Sequence, residues 1–180
     1  MVADYRVKLR DIRTAELEKV LHWRNDPEVG EYLAEESISW REVQEWYDQA
    51  TANPCIRLYA IEAKDGRFIG YGGLQDIDWA ERTASLYIII GEKDYWDRGY
   101  GRTTVLRLAE LAFEELELNR LDLAVLPFNY RGIACYERCG FRRVGFLNDW
   151  YLRRGKPWRS IHMRMTREQY FVAKKTWSQN

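Results

Sequence analysis

Two stretches of this 180-residue chain combine residue types and spacings that can do chemistry. The first is Tyr87-Ile-Ile-Ile-Gly-Glu-Lys-Asp-Tyr-Trp-Asp-Arg-Gly-Tyr-Gly-Arg-Thr-Thr104, which reads as a strand, a glycine-rich loop and a helix start. The first N–H groups of a helix have no partner within it and carry partial positive charge, so they receive phosphate where small residues let it approach. Gly99 and Gly101 would give that access, and Arg98 and Arg102 add charge and donors. A simple tight turn is the plainer reading of two such glycines. No Gly-Lys-Ser/Thr follows, so this is not a Walker loop, and Thr104 stands where a dinucleotide fingerprint needs its third glycine or alanine.

The second stretch is Asn129-Tyr-Arg-Gly-Ile-Ala-Cys-Tyr-Glu-Arg-Cys-Gly-Phe141. It predicts a short helix capped by Asn129 and stopped by Gly140 at the C′ position, with Phe141 packing back. The two stretches each follow a strand, and together they are far more specific than either alone.

The elements that must position them follow from periodicity. Tyr5 to Leu9 alternates as a half-buried strand, and Thr14 to Trp23 is a helix with Thr14 as its N-cap, broken at Asn25-Asp-Pro27. Ser39 and Glu42 form a capping box for a second helix carrying Val43, Trp46 and Tyr47. Strands are expected over Arg57–Ala63, Arg67–Gln75 and Thr83–Ile90, the first two joined by a hairpin at Asp65-Gly66. Thr103 to Leu118 is a helix with Val105, Leu108, Ala109, Ala112 and Leu116 on one face, and Leu121–Leu126 is a buried strand. Two last strands are expected near Arg142–Leu147 and Trp158–Met165. The order describes an α/β protein, a mixed sheet with helices on both faces and a central βαβ crossover. No repeat or linker interrupts it, so residues 1–180 are expected to form a single domain.

Composition excludes several classes. Lys plus Arg and Asp plus Glu number 28 each, so no net field draws the chain to nucleic acid or an anionic membrane. Arg142, Arg143, Arg153 and Arg154 lie among Trp150, Tyr151 and Trp158, but the run is short and falls on a strand pair. The eight Trp and twelve Tyr are read first as packing and pocket walls, with a homo-oligomer plausible. Cys55, Cys135 and Cys139 form no CxxC pair, and the only histidines, His22 and His162, are distant, so no metal site is expected. With no secretory h-region and no long apolar run, the expected location is the cytoplasm.

Arg98 to Thr103 and Asn129 to Phe141 together resemble the signatures of the GNAT superfamily of acyl-CoA N-acyltransferases. The first is similar to its Gln/Arg-x-x-Gly-x-Gly/Ala loop and the second to its Asn-x-Arg/Lys-Ala-Ile-x-x-Tyr-x-Lys/Arg-x-Gly-Phe motif. The resemblance runs in element order from about Val7 to Met165. It is nearest to the branch of ribosomal-protein N-terminal and spermidine acetyltransferases, which carries a segment like Trp23-Arg-Asn-Asp-Pro27.

What this resemblance implies is specific: the GNAT fold, a mixed and mostly antiparallel sheet, and acetyl-CoA as co-substrate with no metal. The pantetheine arm would lie along Ile88, Ile89 and Ile90, and the diphosphate on Arg98, Gly99, Tyr100, Gly101, Arg102 and Thr103. Asn129 and Gly132 would border it, and Tyr136 would protonate the leaving thiolate. The acceptor is a primary amine of a small molecule or peptide, which must lose a proton before it attacks. Thr103 stands in place of a small residue, and Gly132 in place of Ala, which would open space near the cofactor. Ser85 stands where several relatives have a Glu base; it would orient a water, with Asp76, Asp78 and Glu81 as substitute bases. Glu31, Glu35 and Glu36, with Glu28, would border the acceptor pocket and favour a cationic, polyamine-like amine; a solvated acidic loop is the alternative. A protein N-terminus or an amino sugar also stays open. So does a non-catalytic CoA-binding regulatory domain, which Ser85 favours and Tyr136 opposes.

Overall fold

The computed structural model describes residues 6–33, 37–153 and 155–177. Seven strands form one sheet in the order β1-β2-β3-β4-β5-β9-β6. They are β1 (Val7–Arg10), β2 (Arg57–Ala63), β3 (Phe68–Asp78), β4 (Thr83–Ile90), β5 (Arg120–Val125), β6 (Arg142–Phe146) and β9 (Ile161–Thr166). Only β4 and β5 run parallel; every other neighbour is antiparallel. A separate hairpin, β7 (Tyr151–Arg153) and β8 (Lys156–Trp158), lies along the chain between the paired strands β6 and β9.

The helices cover both faces. On one, α1 (Leu17–Asn25) and α3 (Trp40–Ala52) bury Leu17, Val20, Trp23 and Val43 against Ala60, Phe68 and Tyr71 of the sheet. On the other, α4 (Tyr100–Glu110) and α5 (Tyr130–Arg138) join α6 (Arg167–Trp177) around Val105, Leu108, Phe113, Ile133 and Tyr170. Alternation along β4 feeds both cores, with Ala84, Leu86 and Ile88 on the α4 side and Tyr87 and Ile89 on the α1 side.

Local signals account for most boundaries. Ser39 Oγ accepts from the Glu42 N–H at 3.3 Å while the Glu42 carboxylate accepts from the Ser39 N–H at 2.7 Å, the expected capping box. Gly66 turns the β2–β3 hairpin at φ +79°, and Gly140 ends α5 at φ +101°. Other expectations need correction. Thr14 is not an N-cap: it opens a short 3₁₀ turn, and the Glu16 carboxylate accepts from the Arg13 N–H at 2.9 Å. Asn25-Asp-Pro27 does not only break α1. Asp26 Oδ1 accepts from the Glu28 and Val29 N–H groups and starts a one-turn helix, α2 (Pro27–Gly30). The α4 helix ends at Glu110 and runs on as a π turn, in which Leu116 N–H donates to the Leu111 carbonyl at 2.9 Å. The β7–β8 hairpin and α6 were not expected from periodicity, and Tyr5, where the first strand was expected to start, lies outside the described residues.

One polar cluster ties the centre of the sheet. Asp122 Oδ1 lies 2.7 Å from His162 Nε2 and accepts from Arg164 Nε at 2.7 Å, while Oδ2 accepts from Arg120 Nε at 2.7 Å. Burial pushes this carboxyl up, but the hydrogen bonds from Arg164 and His162 outweigh it and hold it below its ordinary value. A depressed carboxyl stabilises the fold fully above its unfolded value near ~3.9 and loses that contribution as pH falls through the folded one. We expect Asp122→Ala to lower unfolding free energy by about 1–3 kcal/mol at pH 7, read from urea midpoints. The deficit relative to the unsubstituted protein shrinks in acid; a deficit independent of pH would contradict this role.

Candidate active site

The site begins where β4 and β5 part. Their parallel pairing comprises Thr83↔Arg120, Ala84↔Leu121 and Ser85↔Asp122, and ends there. Beyond it β4 stays paired with β3 as far as Ile90, and β5 with β9 as far as Val125, so each keeps its outer ladder and loses the inner one. The carbonyls of Tyr87 and Ile89 turn toward Gly72 and Gly70 of β3. Those of Ile88 and Ile90 therefore turn into the gap. Trp96 Nε1 donates to the Ile90 carbonyl at 2.7 Å, so the Ile90 carbonyl is already engaged.

The gap opens into a cleft of about 570 Å³ lined by β4 from Leu86 to Ile90 and by Ala124, Val125 and Leu126. One wall is the start of α4. Gly99 takes φ +83°, a conformation that glycine adopts without penalty, and its carbonyl accepts the Thr103 N–H at 2.9 Å. The N–H groups of the first turn are thereby left without helical partners. A Cβ on Gly101 would meet only Ile88 Cδ1 at 3.8 Å and Cys135 Sγ at 3.9 Å, so the space beside it belongs to the cleft. The opposite wall is α5, whose Gly132, Cys135 and Tyr136 share one face at helical spacing, with Arg138 lining the cleft one turn beyond Cys135. Asn129 Oδ1 caps this helix by accepting from the Gly132 N–H at 2.9 Å.

Charge in the lining is biased. Arg102, Arg131 and Arg138 contribute three guanidinium groups, against one carboxylate, Asp97, among the described lining residues. Arg131 spans the mouth: Nη1 lies 3.2 Å from Asp97 Oδ2, and the guanidinium stands 4.0 Å over the Trp96 ring. Burial pushes the Tyr136 phenol well above its ordinary range, with Cys135 and Cys139 adding to the effect, so it is a neutral donor near pH 7. Tyr87 is raised by burial in the same way.

On the α1 side of the sheet the cleft ends on Val29, Tyr32, Leu33, Trp96, Tyr151 and Ser160. The Ser160 N–H donates to Asp149 Oδ1 at 2.9 Å, which places a second carboxylate behind this wall.

The sequence-based candidates divide accordingly. Ile88, Ile89, Ile90, Gly99, Gly101, Arg102, Asn129, Gly132 and Tyr136 all line the cleft. Arg98, Tyr100, Thr103, Glu31 and Ser85 do not. Arg98 is exposed and its carbonyl accepts from Arg6, while Tyr100 packs edge-on against Tyr95 at 4.9 Å. The Thr103 hydroxyl donates back to the Gly99 carbonyl at 3.1 Å rather than into the cleft. Gly132 does not open space: a Cβ there would lie 2.7 Å from the Asn129 amide nitrogen, which already fills it. Ser85 sits at the closed end of the gap, in register with Asp122. Asp76, Asp78 and Glu81 belong to the far end of the β3–β4 hairpin, where Asp78 caps the Ala80 and Glu81 N–H groups at 2.9 Å. Glu28 is engaged by Lys93 at 2.5 Å, and Glu35 and Glu36 lie outside the described residues. Arg131, Cys135 and Arg138 were missed, although Arg131 and Cys135 are four apart and Cys135 and Arg138 three apart, which puts them on one helix face next to that of Tyr136. Among the described residues, no group of three or more His, Cys, Asp or Glu is placed to hold a metal ion. No helix among them is long and apolar enough to cross a membrane.

Comparison with known proteins bears on this geometry. The spermidine N(1)-acetyltransferase of Vibrio cholerae is 27% identical over 149 residues, covering 82% of this chain and 86% of that protein. The aminoglycoside N(6')-acetyltransferase type 1 of Klebsiella pneumoniae is 28% identical over 152 residues, covering 77% and 75%. A crystal structure of the Vibrio cholerae spermidine N-acetyltransferase in complex with CoA and spermine superposes with a TM-score of 0.84 at 25% identity, over 92% of this chain and 98% of that one. Residues 6–142, which include β4, the α4 loop and all of α5, match the acetyltransferase (GNAT) domain, and the chain belongs to that family of N-acetyltransferases.

Proposed function

We propose that this acetyltransferase binds acetyl-CoA in the gap between β4 and β5 and transfers its acetyl group directly to a primary amine of a polyamine-like cation. The observation that carries the reading is the unpaired inner edge of β4 leading to a glycine-floored helix start, in a lining with three arginines and one carboxylate. Such a lining suits a ligand that is an amide-bearing chain at one end and a polyanion at the other. When bound, the co-substrate supplies an activated acetyl thioester. The Ile88 backbone offers hydrogen bonds to its amides, as a neighbouring strand would. Gly99, Gly101 and Arg102 hold the diphosphate through helix N–H groups and a guanidinium, and Arg131 and Arg138 add positive charge. Asn129, by capping α5, fixes the face from which Tyr136 reaches the cleft.

The acceptor enters from the α1 side, past Tyr32, Trp96 and Tyr151. An alkylamine with pKa near ~10 is protonated in neutral solution and must lose that proton first. Among the described residues the lining carboxylate is Asp97, already bonded to Arg131, so water in the open mouth takes the proton. Tyr136, kept neutral by burial, then protonates the departing thiolate. The Vibrio cholerae relative is named for spermidine and the Klebsiella pneumoniae relative for aminoglycosides; both substrates carry several amines. That shared chemistry supports a cationic acceptor, and the aromatic wall of Tyr32, Trp96 and Tyr151 suits one. An amino sugar is the second reading, resting on the aminoglycoside relative.

Thiol release from acetyl-CoA, measured against polyamines, aminoglycosides, amino acids and basic peptides, tests the proposal. Turnover is expected with the polyamines; turnover with amino acids or peptides alone would overturn the substrate class, and release with none would overturn acetyl transfer. In the same assay Tyr136→Phe is expected to lower kcat about 10- to 1000-fold with cofactor affinity nearly unchanged. Unchanged kcat would return Tyr136 to a packing role. Gly101→Asp places bulk and negative charge in the diphosphate cradle. It should abolish the rise in Tm that CoA gives the unsubstituted protein, and retained stabilisation would place the cofactor elsewhere.

A further inference from the structure

We propose that Cys135 is a modification site within the cleft, at which an anionic low-molecular-weight disulfide forms a mixed disulfide that excludes the cofactor. Cys135 has no role in the acetyl transfer proposed above, yet it lines the cleft beside Tyr136, and its Sγ is the second atom that a Cβ on Gly101 would meet, at 3.9 Å. It therefore faces the first turn of α4, where the proposed diphosphate cradle lies. Any group attached to this sulfur occupies the same space. Arg102 and Arg138 line the cleft on either side and favour an anionic reagent.

The other two thiols are placed differently. Cys139, one turn further along α5, is fully buried with its Sγ 3.8 Å from the Arg102 carbonyl, and Cys55 packs at the edge of the core. Hydrogen bonding from Cys139 lowers the Cys135 thiol below its ordinary value, against burial and with the help of Arg102 and Arg138. The same pairing and burial push Cys139 up, and because Cys139 is fully buried while Cys135 lines the cleft, Cys135 is the thiol of the pair that a reagent can reach.

The exchange is balanced without any further oxidant. The Cys135 thiolate attacks one sulfur of R–S–S–R; the Cys135 S–S–R bond forms as the original S–S bond breaks. The released RS⁻ carries away the electron pair and takes a proton from water. Cys135 is oxidised and half of the reagent is reduced.

The test uses the full chain with glutathione disulfide as the anionic probe and cystamine as the cationic one. Each rate is normalised to that reagent's rate with free cysteine, and adducts are mapped by peptide mass. One glutathionyl adduct at Cys135 is expected, with a normalised rate several-fold above that of cystamine. Acetyl-CoA, which has no free thiol, should slow its formation at least ~10-fold at ten times its Kd. The adducted protein should lose its thermal stabilisation by acetyl-CoA and regain it with dithiothreitol. Cys55→Ala should behave as the unsubstituted protein, and Cys135→Ala should keep its own stabilisation after treatment.

An adduct confined to Cys55 or Cys139, a rate indifferent to acetyl-CoA, or an adducted protein that still binds acetyl-CoA would overturn the proposal. It rests on the cofactor reading of the cleft. If untreated protein shows no stabilisation by acetyl-CoA, that reading fails and the exclusion fails with it. An adduct mapped elsewhere in a protein that binds acetyl-CoA overturns this proposal alone.

Discussion

The structure depends on an interaction that stops. β4 and β5 are hydrogen-bonded for three residue pairs and then separate, although both continue as strands. Buried backbone N–H and C=O groups are costly without partners, so a sheet opens at its centre only where something else satisfies them or solvent reaches them. Here both occur. The Trp96 indole takes one carbonyl, and the cleft gives the rest access to water or a ligand. The central parallel pair is thus a hinge line between two antiparallel half-sheets, β1–β4 and β5–β9–β6.

Features at both ends of the gap hold this arrangement. At the closed end Asp122 gathers Arg120, His162 and Arg164 beside the last paired residues, so the separation starts from a fixed point. At the open end the two helices that follow β4 and β5 face each other across the gap. Arg131 reaches from one side to Asp97 and Trp96 on the other. That contact is exposed, so it is weak and easily exchanged for a better anion.

The parts of this design carried by local chemistry were legible in the sequence. The β-branched run at Ile88–Ile90, the glycines at 99 and 101, the Asn129 cap and the Gly140 stop each act over a few residues, and each appears where its residue type requires. The parting of the strands was not legible in either strand, because no residue in β4 or β5 encodes the absence of a partner. Tertiary effects defeated other readings. Gly132 looked like added space, but the cap that makes Asn129 recognisable also fills it. The acidic residues near the β3–β4 turn looked like substitute bases, yet a hairpin sends its turn to the end of the sheet opposite the gap. The short β7–β8 strands left no periodic signal because three residues are too few to show alternation. The α6 helix buries Tyr170 against Phe113 while its neighbours Phe171 and Val172 stay exposed, so no apolar stripe marks it in the sequence.

We propose the unpaired edge of β4 as a binding edge for acetyl-CoA. Hydrogen exchange with and without saturating acetyl-CoA reads this directly, since backbone amides that gain a partner exchange more slowly. The account predicts slowing in the segments holding Leu86–Ile90, Gly99–Arg102 and Gly132–Tyr136, with β1 and β2 exchanging as in the free protein. Binding that leaves Leu86–Ile90 at its free rate, or slowing confined to the outer strands, would contradict it.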